Sequence, residues 1–157
     1  MDKKEISLLK AEIDYQIEAI EDVILKIHER KNDYAQDSRF AESLAYQLHN
    51  LYCAFEDLFK IIAKFFENSI EDQSRYHIEL LKRMTLDIQG VRPPLISREL
   101  CSALDELRAF RHAYSYDIDA KKIGLLLEKF EYIAGKYKED IQTFITLLSN
   151  SSPEQEI

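Results

Sequence analysis

The densest group of reactive side chains lies between Phe110 and Tyr116, in the run Phe-Arg-His-Ala-Tyr-Ser-Tyr. An imidazole such as His112 titrates near neutral pH and moves protons, whereas a guanidinium such as Arg111 binds a phosphoryl group through two parallel hydrogen bonds. Together these groups suit metal-free RNA cleavage, with histidine as general base or acid and arginine stabilising the phosphorane. The same residues also suit a packed helix end, and the pattern by itself leaves both interpretations open.

Other side chains that could bind a metal are scattered along the chain. His28, His49 and His77 have no second histidine at a spacing of three or four, and the two cysteines, Cys53 and Cys101, form no CxxC pair. We therefore predict no metal site and two reduced thiols. The pattern places Cys53 in the core and both His28 and His49 on the surface, and it assigns no role to His77.

Composition indicates one soluble domain. The chain has 157 residues, 46% of them hydrophobic and 32% charged, with a formal charge of -8. Its first residues lack the apolar core of a signal peptide, and no apolar run reaches the roughly 18 residues of a membrane span. We therefore expect a cytoplasmic protein that does not bind membranes. Because affinity for phosphate comes largely from Lys and Arg, RNA contact needs a local basic patch.

The elements that must position these groups are helices. Glycine and proline number three each, and apolar residues recur every three or four positions between them. Five helices are predicted, at about 3–32, from after residue 38 to Phe65, 72–87, from Ser97 toward Tyr114, and 120–149. Ser97 and Asp119 are candidate caps. We predict an all-α, up-and-down bundle over 1–149, followed by a flexible tail over 150–157.

Several segments resemble the HepT branch of the HEPN ribonuclease toxins. They are His-Ile-Glu-Leu-Leu-Lys-Arg-Met at 77–84, Val-Arg-Pro at 91–93 and Leu-Asp-Glu-Leu at 104–107, together with Asn-Leu-Tyr at 50–52 and Phe-Glu-Asp at 55–57. The resemblance covers most of the chain and implies a HEPN helical bundle that forms a homodimer. Members of this branch carry the motif Arg-x4-His-x-Tyr on the fourth helix.

This chain departs from that motif at its spacer. In one alignment Arg111, His112 and Tyr114 are the motif residues, and the four residues between Arg and His are missing. In a second alignment Arg108 or Leu107 occupies the arginine position. Four residues make about one helical turn, roughly 6 Å of rise and 40 degrees of net rotation, so we expect the fold to survive their loss. We expect catalysis to be impaired, because adjacent residues project about 100 degrees apart.

The resemblance implies the toxin of a toxin-antitoxin pair, a metal-independent endoribonuclease (an RNA hydrolase) that needs no cofactor. Its partner would be a nucleotidyltransferase antitoxin of the MntA type, which transfers AMP to the motif tyrosine and uses ATP itself. The acceptor would be Tyr114, with Tyr116 as a neighbouring possibility, and the added AMP would repel RNA. The alternatives are a non-catalytic HEPN module that binds a nucleotidyltransferase or a nucleotide, and a purely structural bundle.

Supporting roles fall on a few further residues. In the dimer, two copies of Arg108 and Arg111 would form a positive cleft on an acidic body. The side chains of Lys82, Arg83 and Arg92 would either widen this cleft or face solvent as ordinary surface charges, and the surface is the favoured interpretation. From helix two, Glu56 or Asp57 would orient an arginine of the site.

Overall fold

The computed structural model describes residues 1–67, 75–113 and 118–151, with the backbone alone described for 111–113. It contains five helices: α1 (Lys3–Arg30), α2 (Ser38–Phe66), α3 (Tyr76–Arg83), α4 (Arg98–Ala113) and α5 (Ala120–Asn150). Over these residues there is no strand, and one isolated bridge joins Ile88 to Arg92. The predicted all-α bundle is therefore confirmed.

Helix α2 is the centre of the bundle and contacts each of the other four helices. Its apolar face is fully buried over several turns, as is the facing stripe of α5. Between the two helices, the ring of Phe55 packs edge-on against that of Tyr137 with centroids 5.5 Å apart. Because α2 touches every neighbour, polar residues on its inner face are held close to α3 and α4.

The predicted caps at Ser97 and Asp119 are both present. The Asp119 carboxylate accepts a hydrogen bond from the backbone N–H of Lys121 at 2.9 Å. At the start of α4, the Ser97 hydroxyl accepts from the N–H of Leu100 at 3.2 Å, and the N–H of Ser97 donates to the Asp140 carboxylate at 2.8 Å. Ser97 thus begins α4 and also ties it to α5.

Replacing Ser97 with alanine is expected to lower the free energy of unfolding by about 1 kcal/mol, because one N–H of the first turn loses its acceptor. The matched control is Ser102→Ala, at an exposed position within the same helix, which should leave stability nearly unchanged. Urea denaturation of both variants tests this. Equal stabilities for the two variants would show that the Ser97 hydroxyl does not cap α4.

Helix α3 is shorter than the predicted 72–87, of which residues 72–74 lie outside the described part of the chain. It ends at Arg83, where the N–H of Met84 turns back to the carbonyl of Leu81 at 3.2 Å. Three side chains of this segment were predicted to face the core. Leu81 and Met84 are buried as predicted, and Ile78 is half-buried.

The carboxyl end of α5 also differs slightly from the prediction. The helix continues through Asn150, with Ser151 as its C-terminal cap, so it extends one residue past the predicted boundary at 149. The predicted tail beyond 151 lies outside the described residues.

A buried arginine lies next to the end of α3. The side chain of Arg92 is completely buried and pairs with the carboxylate of Glu67, itself 8% exposed. Its guanidinium also donates to the carbonyls of Arg83 at 3.0 Å and of Leu86 and Pro93 at 3.2 Å each. Both interpretations of Arg92 as a surface or cleft residue are therefore wrong: it holds the loop between α3 and α4 against the end of α2.

Three further placements differ from the sequence-based expectation. Cys53 is half-buried rather than in the core, and its sulfur lies 3.6 Å from Nε2 of His49. His49 is half-buried as well. The ring of His28 packs edge-on against Phe130 with centroids 5.1 Å apart, so this histidine also covers the core instead of lying free on the surface.

Candidate functional site

Helix α2 carries three polar residues at successive i, i+4 positions: Tyr52 and Glu56, which are buried, and Lys60, which is exposed. Tyr52 is fully buried and Glu56 is 5% exposed. A carboxylate this deeply buried is costly unless cations or hydrogen-bond donors surround it. Glu56 meets that condition through Lys60, 3.6 Å away on the same helix, and through a donor from α3.

That donor is His77, the second residue of α3. Its Nδ1 lies 2.7 Å from Oε2 of Glu56, and the side chain is 38% exposed. An ionised carboxylate only accepts hydrogen bonds, so Nδ1 carries the hydrogen and a neutral His77 has its lone pair on Nε2. Within the described part of the chain, Nε2 makes no hydrogen bond.

Helix α4 brings Arg108 close enough to Tyr52 for its charge to act on the phenol. The Nε of Arg108 donates to the Asp105 carboxylate at 2.8 Å, and its side chain is 13% exposed. Burial raises the pKa of the Tyr52 phenol, the charge of Glu56 raises it further, and Arg108 opposes the rise. The Tyr52 hydroxyl makes no hydrogen bond of normal geometry to any described residue. We call Tyr52, Glu56, His77 and Arg108 the Glu56 cluster.

The buried phenol predicts a loss of stability at alkaline pH. With its pKa raised above the ordinary value of 10.0, Tyr52 stays protonated in the folded protein while the unfolded chain loses the proton. The contribution of Tyr52 to the free energy of unfolding is therefore fully present below pH 10. As the pH rises further, that free energy falls by about 1.4 kcal/mol per pH unit. Tyr52→Phe should flatten the fall in urea-derived unfolding free energy between pH 10 and 11. The exposed Tyr15 is the control, since Tyr15→Phe should leave the slope unchanged; equal slopes for both variants would contradict the prediction.

The predicted motif residues follow Arg108 in the sequence. Arg111 and His112 belong to the last turn of α4, whereas Tyr114 and Tyr116 lie outside the described residues. By helical register, positions 108 and 112 are about 6 Å apart along the axis with 40 degrees of rotation, while adjacent positions are about 100 degrees apart. Arg108 and Glu56 both act electrostatically on the buried Tyr52 phenol, and the roles of Arg111 and His112 stay predictions.

A sequence model of the family described as HepT-like protein matches residues 43–148. This chain belongs to the HepT-like family. The match covers most of α2 and all of α3 and α4, so the whole Glu56 cluster lies within the family domain. No curated protein and no solved structure matches the chain.

The HepT-like chain contains one site residue that its sequence did not point out. His77 was left without a role because its partner, Glu56, lies 21 positions earlier and no helical spacing relates the two. The neighbouring Arg75 and Tyr76 were the one available signal.

Two further findings concern the described parts of the chain. There, no three His, Cys, Asp or Glu side chains come together as a metal would require. Over the same residues, no helix is long and apolar enough to cross a membrane.

The cationic groups near α3 are less available than the sequence suggested. Arg83 lies 3.4 Å from the Glu67 carboxylate, and that carboxylate is shared with the buried Arg92. Lys82 is exposed. Of these three residues, Lys82 alone has no ion pair among the described residues. Arg108 is paired with Asp105, and Lys60 with Glu56 and Asp57.

Proposed function

We propose that this HepT-like protein is the toxin component of a HEPN and nucleotidyltransferase pair, with a metal-independent RNA-cleaving activity that its shortened motif weakens. The observation that carries this proposal is the Glu56 cluster. A buried carboxylate orients a partly exposed imidazole, and an arginine of α4 is near enough for its charge to act on the same phenol as that carboxylate. Proton transfer and charge stabilisation at phosphorus are the two tasks that RNA cleavage sets.

The register of α4 explains why the activity would be weak rather than lost. The arginine and histidine of the family motif are five positions apart, which corresponds to about 7.5 Å of rise and 140 degrees of rotation. In this chain Arg108 precedes His112 by four positions, about 6 Å and 40 degrees, while Arg111 adjoins it. A cation is thus present near His112 in either alignment, but neither reproduces the family geometry, and small misplacements are costly in catalysis.

Regulation would follow from the tyrosine of the motif. In the proposed pair, the MntA-type partner transfers AMP to Tyr114, or to the neighbouring Tyr116, and the added negative charge repels RNA from the cleft of the homodimer. Two copies of Arg108 would contribute to that cleft, although each is partly neutralised by Asp105 at 2.8 Å. This chain itself would need no cofactor.

The test restores the missing turn. Four alanines are inserted between Arg111 and His112, and the natural and lengthened proteins are incubated with total RNA in EDTA. We expect the lengthened form to cleave RNA at least about 100-fold faster, the scale of a positioning error of this kind. The control is the lengthened form carrying His112→Ala, which should be inactive. Growth arrest on expression of each form provides a parallel readout.

The second candidate function is a non-catalytic HEPN module that binds the nucleotidyltransferase. The missing spacer and the engagement of Arg108 by Asp105 both favour it over catalysis. Absence of cleavage by both forms, with the helical fold intact by circular dichroism, would overturn the nuclease proposal. Stable co-purification of the nucleotidyltransferase with that inactive protein would then support the module.

A further inference from the structure

A histidine that only packs against its neighbours needs no buried carboxylate as a hydrogen-bond partner, but His77 has such a partner in Glu56. Glu56 binds Nδ1 at 2.7 Å, and the ring remains 38% exposed. The buried carboxylate therefore fixes both the orientation of the imidazole and its tautomer, with a lone pair on Nε2. The same arrangement of carboxylate, imidazole and free nitrogen makes histidine a general base in hydrolases.

We propose that His77 is a catalytic residue of the RNA site, acting as the general base on the ribose 2'-hydroxyl, and that Glu56 is its positioning residue. This inference rests on the proposed function and adds a second histidine, from α3, to the one on α4. The Glu56 cluster then contains the proton acceptor and, in Arg108, a cation for the phosphate.

The chemical step balances without a metal. Nε2 of His77 takes the proton of the 2'-hydroxyl while the 2'-oxygen forms a bond to phosphorus. The bond from phosphorus to the 5'-oxygen then breaks, and that oxygen takes a proton from His112 or from water. The products are a 2',3'-cyclic phosphate and a 5'-hydroxyl, so the reaction consumes no co-reactant.

Charge around His77 suits a phosphodiester. Lys60 lies 3.6 Å from Glu56 and is 46% exposed, and Arg75, two residues before His77, is exposed. Lys60 is shared between Glu56 and Asp57, and Arg108 is paired with Asp105, so Arg75 is the cation of this group without an ion pair among the described residues. An exposed arginine two residues before His77 is suited to contact a phosphate on an otherwise acidic chain.

The experiment separates a base from a structural hydrogen bond. His77→Asn keeps an N–H donor for the Glu56 carboxylate but has no basic nitrogen at the position of Nε2. His77→Ala leaves a space that free imidazole can enter. Glu56→Gln replaces the acceptor that fixes the tautomer. Each change is made in the lengthened form, with His28→Asn as a control histidine on α1 that packs against Phe130.

Single-turnover cleavage of RNA in EDTA is the readout. We expect His77→Asn to slow cleavage by about 100-fold to 10,000-fold, the usual contribution of a general base, with KM nearly unchanged. Free imidazole should restore part of the activity of His77→Ala. His28→Asn should retain the parent rate, and imidazole should not change it. Glu56→Gln should fall between His77→Asn and the parent.

The outcomes distinguish this inference from the function on which it rests. If the lengthened parent cleaves RNA and His77→Asn cleaves at the same rate, His77 is a structural residue and only this inference is overturned. If His77→Ala is slow and imidazole restores nothing, the inference is likewise overturned. If the lengthened parent itself does not cleave RNA, the proposed function is overturned together with it.

Discussion

Arg92→Met is expected to lower the free energy of unfolding by about 3–5 kcal/mol, the cost of removing one partner from a buried ion pair. The guanidinium is fully buried against Glu67 and also satisfies three backbone carbonyls. Its removal leaves the buried Glu67 carboxylate with Arg83, 3.4 Å away, as its remaining cation and takes one donor from each of the three carbonyls. Methionine fills the volume without replacing a single hydrogen bond.

Urea denaturation measures the effect, with Arg98→Met as the matched substitution at an exposed position. The control should change stability by no more than about 0.5 kcal/mol. Adding Glu67→Leu to Arg92→Met should recover much of the loss, because the stranded charge is then gone. If Arg92→Met proved as mild as Arg98→Met, the loop between α3 and α4 would not depend on this pair.

Tyr114→Phe is expected to abolish AMP transfer to this chain by the proposed nucleotidyltransferase partner. In that reaction the phenol oxygen attacks the α-phosphorus of ATP and pyrophosphate leaves, so phenylalanine, which lacks the oxygen, cannot be modified. Intact-mass spectrometry after incubation with the partner and ATP would show the mass of one AMP on the natural chain and none on the variant.

Tyr116→Phe is the matched control, since it removes the other phenol of the same segment. It should keep full AMP transfer if Tyr114 is the acceptor. Retained modification of Tyr114→Phe together with its loss in Tyr116→Phe would move the acceptor to Tyr116. Modification of neither the natural chain nor the variants would contradict the proposed regulation.

Much of the fold followed from local patterns. The periods of three and four in apolar residues predicted all five helices, because burial of one helical face repeats with the helix itself. The caps at Ser97 and Asp119 were also predictable from local sequence. A capping side chain accepts a hydrogen bond from an N–H two or three residues later, so it needs no tertiary partner.

The errors occurred where a partner is distant along the chain. Arg92 looked like surface charge because nothing near it reveals Glu67, 25 positions earlier. The length of α3 was overestimated, since after Arg83 the backbone continues with tighter i to i+3 hydrogen bonds, such as that from the N–H of Leu86 to the carbonyl of Arg83 at 3.1 Å, and the distant arginine binds the same carbonyl. The residue types show that these side chains are charged, but they do not identify the residues with which the side chains pair.

The candidate site divides in the same way. The sequence by itself determined the HepT-like family and the reactive run at the end of α4, because motif identity and helical register are properties of consecutive residues. Only the tertiary structure decided that Glu56 meets His77 and that the charge of Arg108 acts on Tyr52. These interactions involve three helices, and a buried carboxylate must find its donors wherever packing brings them.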